Sequence, residues 1–137
     1  GGQAWEQIMA EAPWKPRRNH QCVSLPDGTI LLMGGKSGRT ELSDVWRGRG
    51  AGEKWECITE SAPWTPRESH QCVVLDDGAV LLMGGYYTEP APTTPAKAGK
   101  GGKKRAKKAP AVRKWFNDVW LTRDAGCTWV QLQASAP

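Results

Sequence analysis

The chain has 137 residues, of which 39% are hydrophobic and 24% charged, and its formal net charge is +5 at pH 7. This length allows one small domain, and the apolar content excludes a fully disordered chain. The longest apolar run, Ala79–Met83, is far shorter than the roughly 20 residues of a membrane-spanning helix, which excludes such a span. The first residues show neither a basic start nor an apolar stretch, so we expect no signal peptide and an intracellular location, cytoplasmic or nuclear.

The positive charge is concentrated in one segment. Nine basic residues and no acidic residue lie between Lys97 and Lys114, and the rest of the chain carries ten basic against fourteen acidic residues. The body of the protein is therefore mildly acidic, and one segment is strongly basic. A single-sign segment of this kind is either a solvated loop or an arm that binds anions, and it does not indicate a basic fold.

The chain contains an internal repeat. The segment 5–35 aligns without gaps with 55–85, and 20 of the 31 positions are identical. Further along, Asp44-Val45-Trp46 matches Asp118-Val119-Trp120 with an offset that is 24 residues larger, so the second repeat contains an insertion. The boundaries are about 5–54 for the first repeat and 55–128 for the second, with the start of a third at 129–137 and the insertion at 86–115.

Each repeat predicts four short strands. In the first repeat these are 20–25, 30–33, 44–46 and 55–58, where apolar and polar residues alternate or β-branched residues cluster. Asp27-Gly28 predicts a tight turn between the first two strands, and Gly34-Gly35 ends the second. The second repeat predicts strands at 70–75, 80–83, 118–121 and 129–132, and no segment has a helical period. The fold class expected is all-β, built from blades of four antiparallel strands.

The order of these features resembles kelch repeats of a β-propeller. The positions that carry the resemblance occur in both repeats and are Arg17/Arg67, His20/His70, Asp27-Gly28/Asp77-Gly78, Gly34-Gly35/Gly84-Gly85, Trp46/Trp120 and Trp55/Trp129. One difference is that Trp46 and Trp120 stand near the third strand, where the family commonly has Tyr. In addition, 122–129 resembles the Asp-box of sialidase-like propellers, which implies a turn between the outer two strands and no glycosidase activity.

A propeller closes with about 4–8 blades, so two blades leave their flanking faces open. We expect either that the chain is a piece of a longer propeller or that identical chains assemble to close the ring. The resemblance also implies that the insertion joins the second and third strands of its blade. Because the insertion has no apolar periodicity, we expect it to be disordered when alone.

Two pairs of repeated polar residues are candidates for partner binding. Arg17 and Arg67 either bond interblade carbonyls or form a ring at the channel mouth that captures acidic residues of a partner. His20 and His70 are predicted mainly as first-strand residues bonded to backbone or water, with contact to a polar ligand as the alternative. Trp14 and Trp64 stand between prolines, where each packs between blades or anchors an interface.

The residues do not indicate an enzyme. Asp44 and Asp118 are repeat equivalents in different blades, so we expect each to cap a turn or bond a backbone amide rather than to act in an acid/base pair. The four cysteines form no C-x-x-C pair, and no nucleophile set or phosphate-binding loop occurs, so no metal or cofactor is expected.

The sequence therefore predicts a non-enzymatic, kelch-type interaction scaffold that binds a protein or peptide and does not engage membranes. The alternative is a nucleic-acid- or anion-associated protein that binds through the basic segment 97–114. Within that segment the candidate ligands, which also resemble a nuclear localisation signal, are Lys103, Lys104, Arg105, Lys107 and Lys108.

Overall fold

The computed structural model describes residues 4–90 and 110–134. The first repeat contains four strands: β1 (Gln21–Ser24), β2 (Ile30–Ser37), β3 (Thr40–Arg49) and β4 (Lys54–Thr59), with a short 3₁₀ turn at Gly50–Gly52. The second repeat contains six: β5 (Gln71–Val74), β6 (Val80–Met83), β7 (Tyr86–Glu89), β8 (Val112–Trp115), β9 (Val119–Thr122) and β10 (Val130–Gln133).

These strands form two antiparallel sheets of four strands, in the orders β1-β2-β3-β4 and β5-β6-β9-β10. The prediction of an all-β fold built from four-stranded antiparallel blades is thus confirmed. The predicted tight turn is present, because Gly28 donates its N–H to the Leu25 carbonyl at 3.0 Å with a φ of +82°. The Asp27 carboxylate accepts the Thr29 N–H at 2.9 Å and closes the turn.

The insertion is more ordered than the sequence analysis expected. Its two ends pair as the antiparallel hairpin β7–β8, with Tyr86 opposite Trp115. The equivalent pair in the first sheet is Lys36 opposite Glu41. The insertion therefore lengthens a hairpin that the first repeat also has. The expectation of disorder is therefore wrong for these ends, and 91–109 lies outside the described residues.

The hydrophobic core lies between the two sheets. The first sheet contributes what we call its trailing face, Leu31, Met33 and Val45, all with no exposed surface. The second contributes what we call its leading face: the β6 residues Val80 and Leu82, together with Trp64 in the connection that precedes β5. Because side chains alternate along a strand, Leu81 and Met83 point away from this seam.

Backbone hydrogen bonds also cross the seam. Arg67 donates its N–H to Leu42 at 3.1 Å and accepts from Gly35 at 3.0 Å, and Ala62 donates to Ser43 at 2.9 Å. Such bonds are directional, so they fix how the second sheet sits against the first, whereas apolar burial alone would not. No helix within the described residues is long and apolar enough to cross a membrane.

Candidate functional site

The second repeat contains a buried polar cluster centred on Arg67. Its guanidinium binds both carboxylate oxygens of Asp118, at 2.6 and 2.9 Å, and also donates to the Gly84 carbonyl at 2.9 Å. The indole N–H of Trp120 donates to the same carboxylate at 2.8 Å. Burial alone would raise the pKa of Asp118, but the hydrogen bonds from Arg67 and Trp120 outweigh it and hold that pKa below its usual value.

The first repeat builds the same cluster. Arg17 binds both oxygens of Asp44 at 2.7 and 2.8 Å and donates to the Gly34 carbonyl at 3.0 Å. Trp46 donates its indole N–H to Asp44 at 2.7 Å. In each repeat, therefore, one arginine ties the connection before the first strand to the second and third strands of the same sheet.

This geometry does not fit arginines that capture a partner. Arg67 has no exposed surface, and the side chain of Arg17 is only 2% exposed. Each guanidinium already holds a carboxylate of its own chain in the bidentate geometry that a partner would need. The expectation that the two aspartates cap turns is likewise replaced, because both accept bonds from arginine and tryptophan side chains.

Each histidine lies directly before the first strand of its repeat, and the two have different environments. His70 is fully buried beside Trp64, with ring centroids 6.2 Å apart, and its ring nitrogens make no hydrogen bond of normal geometry within the described residues. Burial and the nearby Arg67 charge lower the pKa of His70 to about 4, and the Met33 backbone only partly opposes this. His20 is partly exposed, and burial and Arg17 lower its pKa as well.

The two candidate tryptophans also differ in burial, with the residue of the second repeat more buried than that of the first. Trp64 is 1% exposed and packs edge-on against Trp129, which makes it a core residue. Trp14 is half-buried and packs edge-on against Trp46 and Trp55 of its own sheet, with centroid distances of 5.9 and 4.4 Å. Of the six residues predicted to contact a partner, only Trp14 and His20 keep appreciable exposed surface.

The double glycines are explained by close backbone approach. A Cβ on Gly35 would lie 2.7 Å from the Arg18 carbonyl oxygen, and a Cβ on Gly85 would lie 2.7 Å from that of Glu68. Both glycines also have positive φ, +88° and +84°. Only glycine fits where the chain entering the first strand passes this close to the backbone of the double glycine.

An open groove of about 610 Å³ lies where the two hairpins meet above the seam. It is lined by residues from both repeats, namely Arg18, Asn19, Lys36, Glu68, Tyr86, Thr88, Ala111 and Arg113. Its floor is a buried ion-pair network, in which Lys36 binds Glu41 at 2.6 Å and Glu68 at 3.0 Å. Asn19 donates its side-chain N–H to Glu68 at 2.7 Å. Both carboxylate oxygens of Glu68 therefore accept a hydrogen bond from the first repeat.

The walls of this groove carry two cations with no acidic partner. Arg18 and Arg113 are exposed, and neither forms an ion pair with any described residue. The Arg113 guanidinium lies over the Tyr86 ring, 4.9 Å from its centroid. We did not select these residues from the sequence, although one signal was visible: Arg18 is a position where the repeats differ in charge, with Glu68 as its equivalent.

The remaining candidates give no reactive site in the described structure. Across residues 4–90 and 110–134, no group of three or more His, Cys, Asp or Glu side chains could hold a metal ion. The basic candidates, Lys103, Lys104, Arg105, Lys107 and Lys108, lie outside the described residues. No protein-family model matches the sequence, and no curated protein matches it significantly.

Proposed function

We propose that this chain belongs to a kelch-type β-propeller that acts as a non-enzymatic protein-interaction scaffold, and that an acidic segment of its partner binds in the groove above the seam. The repeated Arg–Asp–Trp clusters support the first part. In each cluster the arginine, aspartate and tryptophan side chains bond to one another and hold their sheet together, so these polar groups are not free to take part in a reaction. The kelch-like order of residues in both repeats points to the same kind of scaffold.

The observation that carries the second part is the pair of exposed, unpaired arginines facing one groove. Arg18 comes from the first repeat and Arg113 from the extended hairpin of the second, so a ligand between them would contact both repeats. Arginine binds carboxylates in bidentate geometry, and Tyr86 adds an aromatic surface on which a partner side chain can pack. Lys36 offsets one of the two negative charges of Glu41 and Glu68, and the two arginines outnumber the one that remains.

The test is binding of a fluorescently labelled peptide rich in Glu and Asp to the full chain, followed by fluorescence anisotropy. We expect the variant that combines Arg18→Ala with Arg113→Ala to weaken binding at least about tenfold, because a hydrogen bond to a charged group contributes about 1.5–3 kcal/mol. The matched control is Arg49→Ala, which removes an arginine with a side chain that is 64% exposed at the far end of β3. Equal binding by all three proteins would refute the groove.

A second candidate function is binding of nucleic acid through the basic segment. The observation favouring it is that Arg113 and Lys114, the last two residues of that segment, are exposed on β8, so the positive charge continues onto the hairpin. Deleting 97–108 separates the two candidates. Loss of duplex-DNA binding, with a steep salt dependence in the intact chain, would assign the arm to nucleic acid. Peptide binding that survives the deletion would assign the partner to the groove.

A further inference from the structure

The seam inside the chain shows how one repeat binds the next. The trailing face of the first sheet is covered completely by the second sheet: Leu31, Met33 and Val45 have no exposed surface. The contacts are close, since the Cys72 sulfur lies 4.0 Å from that of Met33, and a Cβ on Gly126 would lie 2.7 Å from Val45. The seam is thus packed like a protein interior.

The second sheet presents the same trailing face on its other side. Leu81, Met83 and Val119 are the repeat equivalents of Leu31, Met33 and Val45, with identical residue types. Here all three are only partly buried, because no third sheet covers them within the described residues. Leu132, the equivalent of the partly buried Ile58, is 56% exposed beside them. Exposed apolar surface of this kind, with a buried counterpart elsewhere in the same chain, indicates an interface.

The first sheet presents the matching leading face. Five second-repeat residues at the seam have identical equivalents in the first repeat, namely Ala12, Trp14, Arg17, His20 and Cys22. Leu82 corresponds to an identical Leu32, and Val80 to the similar Ile30. The N–H of Arg67 bonds across the seam to Leu42, and the N–H of Gly35 bonds across it to Arg67. Their equivalents, the N–H groups of Arg17 and Gly85, find no carbonyl partner within the described residues. Both the apolar and the polar halves of the interface are therefore present and unused.

We infer that the trailing face of the second sheet binds the leading face of the first sheet in a second copy of this chain. The polar contacts of the two seams differ at one position. Where Lys36 meets Glu68 in the internal seam, the intermolecular seam would place Tyr86 of one copy against Arg18 of the other. This replaces an ion pair by a cation–π pair on a ring that Arg113 already contacts, so the intermolecular seam depends more on its apolar surface than the internal seam does.

This interface is heterologous, because each copy uses two different faces. Successive copies form a ring if the rotation that relates one copy to the next adds up to a full turn. Two blades per chain and about 4–8 blades per propeller give rings of two to four copies. The inference goes beyond the proposed function, since it concerns how the scaffold is completed and not what binds in the groove.

The test measures the mass of the full chain by analytical ultracentrifugation over a wide range of concentrations. We expect the mass to rise to that of two to four chains. Met83→Glu should weaken this association at least about tenfold, because it would bury an unpaired carboxylate in the new seam. The matched control is Val130→Glu, which places at an exposed position of β10 the residue that the first repeat already carries as Glu56.

A second measurement keeps the result interpretable if Met83→Glu disturbs the fold. Cys22 is exposed in the single chain, but its equivalent Cys72 lies in the internal seam. Peptide-resolved thiol alkylation should therefore slow at least about tenfold at Cys22 on assembly, while the exposed Cys57 and Cys127 keep reacting. A monomer at every concentration would overturn the inference. So would an oligomer in which Cys22 reacts as fast as in the monomer.

Discussion

The two repeats carry the same residues at their leading faces, yet these residues occupy different environments. Trp64, Arg67 and His70 have at most 1% of their surface exposed, whereas Trp14 and His20 are only partly buried. The difference arises from the neighbour: the first sheet covers the leading face of the second, and no described sheet covers the leading face of the first. In a repeat protein, burial is thus a property of position in the array rather than of the repeat itself.

The largest expected difference concerns the two tryptophans. Trp64→Ala should lower the free energy of unfolding by about 3–5 kcal/mol, because it leaves a large cavity in the core. Trp14→Ala should cost about half as much, since a half-buried side chain loses less contact area. Urea denaturation followed by circular dichroism measures both. Equal losses at concentrations where the chain is monomeric would show that the two positions are not differently buried.

The second comparison concerns acid stability. Because the pKa of His70 is lowered to about 4 from an ordinary value of 6.5, the unfolded chain takes up a proton first as the pH falls. The contribution of neutral His70 to the free energy of unfolding is fully present above about pH 6.5. It is lost as the pH falls towards 4, and the total loss is about 3 kcal/mol.

The matched variants are His70→Gln and His20→Gln. We expect His70→Gln to flatten the dependence of unfolding free energy on pH between 7 and 5, a window above the main titration of carboxylates. His20→Gln should leave most of that slope, because His20 is more exposed. If both variants keep the full slope, the acid sensitivity lies elsewhere in the chain.

The smallest expected difference concerns the first residue of each double glycine. Gly34 and Gly84 both have positive φ, +55° and +69°, so alanine at either position costs about 1–2 kcal/mol in backbone strain. A Cβ on Gly34 would also lie 3.0 Å from His70 and press on the seam, whereas the nearest atom to a Cβ on Gly84 is 3.8 Å away. Gly34→Ala should therefore be more destabilising, by about 1 kcal/mol more. Thermal unfolding of the two variants tests this, and an equal shift in both would contradict it.

Much of the fold could be predicted because the signals are local. Alternating residues next to an Asp-Gly turn indicate a hairpin wherever they occur, and the first two strands of each sheet were predicted in this way. The third and fourth strands were predicted from the Asp-Val-Trp motif and from the tryptophan that follows it in each repeat. The hairpin β7–β8 was missed because its strands are the two ends of the insertion, far apart in the sequence, and neither has a strong apolar pattern. Its pairing depends on continuing a ladder that the blade begins.

The candidate site was harder to predict, for a different reason. Arg67 and Asp118 are 51 residues apart in the chain, and nothing local indicates that they meet. The repeat alignment correctly identified Arg17 and Arg67 as equivalent, but identical letters cannot reveal that a neighbouring sheet covers one leading face and not the other. Arg18 and Arg113 become a pair only through the folding of both hairpins.

The register of the extended hairpin has a practical consequence. β7 and β8 keep the pairing found at the turn end of the β2–β3 hairpin, although the connection between them is far longer than the two residues, Gly38 and Arg39, that link β2 to β3. Closing a loop costs only about 0.6 kcal/mol more for each doubling of its length. The tip of this hairpin is therefore a tolerant position, where a tag, an epitope or a small folded domain could be grafted without altering the sheets below it.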